Sequence, residues 1–224
     1  MLELTLGVPP RAPLSVLCLG AHGDDIEIGC GGTLLQLLAG RARVSVTWVV
    51  MSAEGARAKE VKRSAGRILR GASTARVRVE RFRDGFLPYD GAAVKDVFED
   101  LKAAVAPDLV FTHARDDAHQ DHRLVCELTW NTFRDHCILE YEIPKYDGDL
   151  GRPNVFVPLG DRVRRAKLRL LMSGFPSQRG KRWFTEATFD ALMRLRGIEC
   201  AAPSGYAEAF YGRKLVVGPA GSAR

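Results

Sequence analysis

The chain has 224 residues, 46% of them hydrophobic and 27% charged, with 33 Lys and Arg against 27 Asp and Glu and a formal net charge of +6. That length and balance suit one globular domain with a sizeable core. They exclude a membrane-spanning chain, because the longest apolar runs, such as VSVTWVVM, are far shorter than a bilayer is thick.

The first segment, MLELTLGVPPRAP, has no basic stretch followed by a long apolar one, so no signal peptide is expected and the protein reads as cytoplasmic. LSVLCLG (14–20) is a continuous apolar strand. GCGGTLLQLLAGR (29–41) reads as a helix, RVSVTWVVM (43–51) as a second strand, and GARAKEVKRSAGRILRG (55–71) as a basic helix stopped by Gly71. ARVRVERF (75–82) alternates as a third strand. After the turn-rich GFLPYDG (85–91), residues 92–106 have helical spacing, and DLVFTH (108–113) is a fourth strand. Residues 121–136 are helical, with Asp121 the expected N-cap, and CILEYEI (137–143) is a fifth strand. Beyond it comes a loop rich in Gly, Pro and Asp (144–156), then two helices, RRAKLRLLMSGF and FTEATFDALMRLRG. GRKLVVG (212–218) reads as a last strand, and 219–224 as a disordered tail. The five cysteines are odd in number and lack C-x-x-C spacing, which argues against a disulfide framework or a cysteine zinc site. DRVRRAKLRLL (161–171) is either a solvated face or a patch for an anionic substrate or carrier. Without interleaved aromatics it does not read as a nucleic-acid surface.

Strand–helix alternation with short connections predicts βαβ units and an α/β fold on a mostly parallel sheet. Sites in such sheets lie beyond the carboxyl ends of the strands. AHGDDIE follows the first strand and HARDDAHQDH the fourth. His22 and Asp25 from one, with His119, Asp121 and His122 from the other, supply imidazole nitrogen and carboxylate oxygen, a zinc-type ligand set. His113, at the end of the fourth strand, is a further candidate.

These residues carry a resemblance. AHGDDIEIGCGGTL is similar to the A-H-P-D-D-x-E-x-x-x-G-G-T motif of the PIG-L/LmbE-like N-acetylglucosaminyl deacetylases, and DDAHQDHRLV to their D-x-H-P-D-H-R-x-V. RAKE (57–60), FRDGFLP and YAEAF (206–210) resemble further family segments in family order. The resemblance implies a Rossmann-like three-layer sandwich with a C-terminal helical and strand extension completing the pocket (144–218), and one deacetylase domain over 1–224 with its core at 14–143. It also implies zinc, replaceable by another divalent metal, and hydrolysis of an N-acetyl group on a small amino-sugar conjugate. His22, Asp25 and His122 would hold the metal. Asp24 would be the general base, His119 would stabilise the oxyanion, and Asp121 would orient and charge that imidazole. Arg57 and Asp84 would bind substrate, and Glu27 would support the site from behind. The positive charge favours an anionic conjugate.

Two prolines of the motif are missing: Gly23 and Gln120 stand in their places, and Gly23 would free the first ligand loop. His113 is expected in a structural or supporting role. Two other readings compete. One is a metal- and sugar-binding protein without chemistry. The other is a nucleotide-binding Rossmann protein, supported by GCGG but opposed by the acidic turn, which would repel a pyrophosphate.

Overall fold

Apolar runs of strand length alternate with amphipathic stretches, and the chain folds accordingly. The computed structural model describes residues 3–9 and 11–217. It comprises β1 (Leu14–His22), α1 (Asp25–Gly40), β2 (Val44–Ser52), α2 (Gly55–Ile68), β3 (Thr74–Val79), α3 (Gly91–Ala104), β4 (Leu109–His113), α4 (Gln120–Thr132), β5 (Cys137–Tyr141), β6 (Val155–Pro158), α5 (Asp161–Gly174), α6 (Glu186–Glu199) and β7 (Ala207–Gly212). The seven strands form one sheet in the order β3-β2-β1-β4-β5-β7-β6. The first five are parallel, while β7 runs antiparallel to both β5 and β6.

Helices cover both faces, which is why β1, β2 and β4 read as near-continuous apolar runs while the edge strand β3 alternates. On β1, Leu14, Val16 and Cys18 join a core with α1, α2, α5 and α6. The alternate residues Leu17, Leu19 and Ala21 join a second core with α3 and α4. The result is the expected three-layer α/β sandwich, with β1 and β4 neighbours at its centre.

Three expectations about elements need correction. Helix α1 begins at Asp25 rather than at 29, so the strand-to-helix turn is only Gly23 and Asp24; Asp25 and Glu27 occupy the first helical turn, where the helix dipole favours acids. The 144–156 loop ends in β6, a strand too short to show a period. The last strand is β7, not 212–218. Residues 213–217 carry no strand, and 218–224 lie outside the described residues, the expected tail among them. YAEAF hides its strand because Glu208, an inward polar residue, breaks the apolar run.

Glu208 is buried and fully partnered. It accepts from the amides of Gly32 and Thr33 at 2.7 Å each and from Thr33 Oγ1 at 2.6 Å, and pairs with buried Lys167 at 2.6 Å. Lys167 also donates to Ile28 O at 2.5 Å. One carboxylate thus joins α1, α5 and β7. The glycines of GCGG allow this close approach. A Cβ on Gly32 would stand 2.7 Å from Leu159 Cδ1 and 2.9 Å from Glu208 Oε1, and one on Gly29 would run into the Tyr141 ring. These glycines lie within a helix against packed side chains, not in a loop presenting amides to a phosphate. Removing the Glu208 carboxylate leaves the Lys167 charge buried and alone. Glu208→Ala is therefore expected to lower stability by about 3–5 kcal/mol, read from urea unfolding, with Lys167→Met/Glu208→Leu recovering much of the loss.

Candidate active site

β1 and β4 are parallel neighbours, so the turn after β1 and the loop 114–119 after β4 leave the sheet at the same edge. Five residues singled out in those two motifs meet there, buried or half-buried: His22, Asp25, His119, Asp121 and His122.

Three donor atoms form a small triangle. His22 Nδ1 lies 3.5 Å from Asp25 Oδ2 and 3.1 Å from His122 Nε2, and His122 Nε2 lies 3.6 Å from Asp25 Oδ2. Tetrahedral zinc with bonds near 2.0–2.1 Å sets its ligand atoms about 3.3–3.4 Å apart, so the set fits such an ion. The outer nitrogens are held in the matching state. His22 Nε2 faces Asp121 Oδ2 and Asp84 Oδ1, each at 3.2 Å, and His122 Nδ1 faces Asp117 Oδ2 at 2.9 Å. A ring that donates outward to a carboxylate turns its remaining lone pair inward.

The electrostatics agree. Burial opposes a charge on His22, but hydrogen bonds to Asp121 and Asp25 and the Asp25 charge hold its pKa well above the ordinary histidine value. Burial likewise opposes ionisation of Asp25, yet His122 and His113 hold it well below the usual carboxylate range. Burial, then the nearby His113, pushes His122 down to about 4. The triangle's surroundings therefore favour positive charge at its centre while keeping His122 neutral.

Asp24 is buried. Its Oδ1 accepts from Arg57 Nη2 at 3.1 Å, whereas Oδ2 has no hydrogen-bond partner among the described residues. Burial, then the Asp25 charge, raises its pKa. His119 stands half-exposed, its ring edge-on to His22 at 4.8 Å and stacked on His122 at 4.6 Å. It, not Asp121, caps α4: its Nδ1 accepts from the Asp121 amide at 3.2 Å, which leaves Nε2–H free to donate. Burial, then His22, lowers its pKa and favours the neutral ring.

The Asp121 carboxylate acts on the His119 ring through its charge, which favours the protonated imidazole, while its hydrogen bonds go elsewhere. It touches His22 and accepts from the amides of Gly85 at 2.7 Å and Leu87 at 3.1 Å, tying the loop after β3 to the site. α4 begins at Gln120, and this directs the Asp121 side chain toward β1. Asp84, on that loop, has an exposed side chain; its hydrogen bond to His22 brings its pKa down to about 2. Arg57 reaches Asp24 from α2 and also donates to Ser177 Oγ at 3.4 Å. Ser177 in turn is held by buried Glu60 through its amide at 3.0 Å and hydroxyl at 2.6 Å. RAKE thus supplies one side chain to the site and one strut to the segment after α5.

The missing prolines have local explanations. Gly23 does not adopt a positive φ. What it provides is room: a Cβ there would stand 2.9 Å from Val61 Cγ2 and 3.4 Å from Arg57 Nη2. Gln120 Nε2 donates to Gly85 O at 2.5 Å, a second tie to the same loop. His113 lies behind the triangle, its Nε2 accepting from the Ala21 amide at 3.0 Å and facing Asp25 Oδ2 at 3.1 Å.

Sequence reasoning missed Asp117. It is buried, accepts from the His119 amide at 2.8 Å and pairs with Lys145 at 3.0 Å as well as with His122. Its signal was its place as the leading Asp of the D-x-H-P-D-H match, which does not say where an acid will point. Glu27 is buried with neither oxygen hydrogen-bonded among the described residues, and burial, with Asp24 and Asp25 adding, pushes its pKa up to about 8.

A family model described as PIG-L: GlcNAc-PI de-N-acetylase matches residues 17–133. No curated protein matches the sequence. Among solved structures, an N,N'-diacetylchitobiose deacetylase from Pyrococcus horikoshii is similar at 24% identity and a TM-score of 0.63, over 88% of this chain and 82% of that one. A conserved protein from Thermus thermophilus is 23% identical with a TM-score of 0.64, over 94% of this chain and 100% of that one. The 4-carboxy-2-hydroxymuconate hydratase of Pseudomonas putida reaches 0.70 at 18% identity, over 92% and 98%. At these identities the likeness shows the fold, and the fold carries both a deacetylase and a hydratase.

Two outcomes follow from the geometry. Asp117→Asn, which removes the charge behind His122, is expected to weaken divalent-metal binding about 10–100-fold, measured by isothermal titration. For Glu27, the unfolded chain releases its proton near the ordinary 4.5 while the folded protein keeps it to about 8. Stability should therefore fall as pH rises through that window, because the folded state holds more protons. Glu27→Gln should flatten the slope, read from urea midpoints at the two ends of the window.

Proposed function

The chain belongs to the PIG-L, GlcNAc-PI de-N-acetylase family, and from that premise we propose that it is a metal-dependent deacetylase that hydrolyses the N-acetyl group of a GlcNAc-containing conjugate. The observation that carries the reading is Asp24 Oδ2, a buried carboxylate oxygen without a hydrogen-bond partner among the described residues, next to the His22–Asp25–His122 triangle. Zinc is the ion this donor set suits, and when bound it would polarise the acyl oxygen and lower the pKa of a nearby water.

Asp24 has the placement of a general base. Arg57 orients its Oδ1, which leaves Oδ2 to take a proton from the attacking water, and its raised pKa strengthens it as an acceptor. The water oxygen bonds to the acetyl carbon, and negative charge develops on the acyl oxygen. His119, neutral with its Nε2–H free, donates to that oxygen. The C–N bond then breaks, the amine nitrogen takes the proton held by Asp24, and acetate and a free amino sugar are released. Asp121 acts on this chemistry through His22 and the 83–87 loop. Asp84 and Arg57 lie where they can meet sugar hydroxyls or a phosphate, and the positive net charge supports an anionic conjugate.

Asp24→Asn keeps the shape and removes the base. It is expected to slow acetate release from a GlcNAc conjugate about 10²–10⁴-fold while zinc binding, followed by titration, stays within a few-fold of wild type. No acetate from a panel of nucleotide-, inositol- and antibiotic-linked GlcNAc by the zinc-loaded protein would overturn the assignment.

A further inference from the structure

The surface formed by α2 and α5 is predominantly basic. Lys59, Lys62 and Arg63 are exposed on α2, and Arg162, Arg165 and Arg169 are exposed on α5. Residues 162, 165, 169 and 173 recur at helical spacing and form one stripe. Arg67 of α2 donates to Ser173 Oγ on that stripe at 3.1 Å and Arg63 to Gly174 O at 3.4 Å, so the two helices present a joint face. It continues into the segment after α5, where Arg179 donates to Met172 O at 3.3 Å and Lys181 and Arg182 are exposed.

Carboxylates do not balance this face. On α2 the only acid is Glu60, buried on Ser177; on α5 it is Asp161; residues 175–185 contain none. The ion pairs these elements make are Arg57–Asp24, Arg164 with Asp161 and Asp190, and Lys167–Glu208, and among the described residues none of the exposed cations named above forms one. A surface helix that is merely solvated usually mixes both signs. The clefts around Lys95 and Asp135, around Asp117 and Tyr211, and around Ile28 and Ala209 include none of these cations. With helices of 14 residues rising about 1.5 Å per residue, the face is about 20 Å long, too broad for a single phosphate.

Amphipathic aromatics stand at its edge. Lys181 Nζ lies 5.6 Å from the Trp183 ring centre, and the Tyr146 side chain, 70% exposed, accepts from the Arg182 amide at 3.2 Å. Tyr and Trp beside basic residues match the headgroup level of a bilayer. The same edge borders the site, since Arg57 pairs with Asp24 at 3.1 Å and also donates to Ser177 Oγ of the 176–184 segment at 3.4 Å.

We propose that the face made by α2, α5 and residues 176–184 docks on an anionic bilayer surface, which sets the mouth of the site against the lipid headgroups. The contact is peripheral and electrostatic. No helix among the described residues is long and apolar enough to cross a membrane. Docking does not depend on the reaction assigned above, so the two can fail separately.

The test is co-sedimentation of the full chain with vesicles of phosphatidylcholine mixed with phosphatidylglycerol, against phosphatidylcholine alone. Binding to the mixed vesicles only, weakening with added salt, is expected. Lys62→Glu/Arg165→Glu/Arg169→Glu, which reverses three charges, should cut the partition coefficient by more than about a hundredfold, since removing three basic residues near the surface alone costs roughly fivefold each. The corresponding Gln variant should fall between it and wild type, with thermal melts confirming that both fold. Absence of wild-type binding, or equal binding by the Glu variant, overturns the proposal. Tighter binding to polyuridylate than to the vesicles would overturn it in favour of a nucleic-acid surface.

Discussion

One buried oxygen organises the centre of this protein. Asp25 Oδ2 accepts from the His22 amide at 2.6 Å and lies within 3.1–3.6 Å of three imidazole nitrogens, from His22, His113 and His122. An isolated carboxylate so placed would cost several kcal/mol in lost hydration. It is tolerated because the surrounding charges alternate outward. Imidazoles face Asp25, and behind them stand Asp121 and Asp84 on His22 and Asp117 on His122. Behind Asp117 stands Lys145. This order lets many titratable groups share a small volume, and it depends on β1 and β4 lying side by side.

The C-terminal part of the chain is held to that centre by buried carboxylates. Glu208 fastens β7 and α5 to α1. Glu60 fastens the segment after α5 to α2, one helical turn from Arg57. Glu142 accepts from Arg196 of α6 at 2.8 and 3.0 Å, from the Gly151 amide at 3.0 Å and from Tyr211 at 3.1 Å. Several motif residues that look chemical in the sequence therefore serve as struts. The glycines of GCGG belong with them, since their lack of a Cβ lets α1 approach β5 and β7.

Much of the fold was readable because the central parallel strands are apolar on both faces, the edge strand β3 alternates, and their helices have ordinary amphipathic spacing. The polar clusters after β1 and β4 were readable for the same reason: they interrupt the apolar pattern where such sheets place their sites. The strands that escaped were β6, which is short, and β7, whose inward Glu208 hides its period. The misjudged side chains share a different cause. Asp121 and His119 are two residues apart, and which of them caps α4 depends on where that helix starts. The freedom expected of Gly23 is not used; the residue is small because α2 crowds it through Val61 and Arg57.

By itself the sequence determined the layer order, the two ligand-bearing loops and the residue types in them, because these follow from hydrophobic period and local spacing. Only the tertiary structure decided which nitrogen of each histidine faces inward, that Asp117 rather than a nearer acid stands behind His122, and that Asp121 serves His22. The His22–His122 and His22–Asp121 contacts depend on distances of 3–4 Å between residues about a hundred positions apart, and the choice of Asp117 depends on how the loop before α4 turns back on it. The same holds for the basic face. Each helix alone reads as a solvated surface, and a broad, predominantly basic surface exists only because α5 packs beside α2.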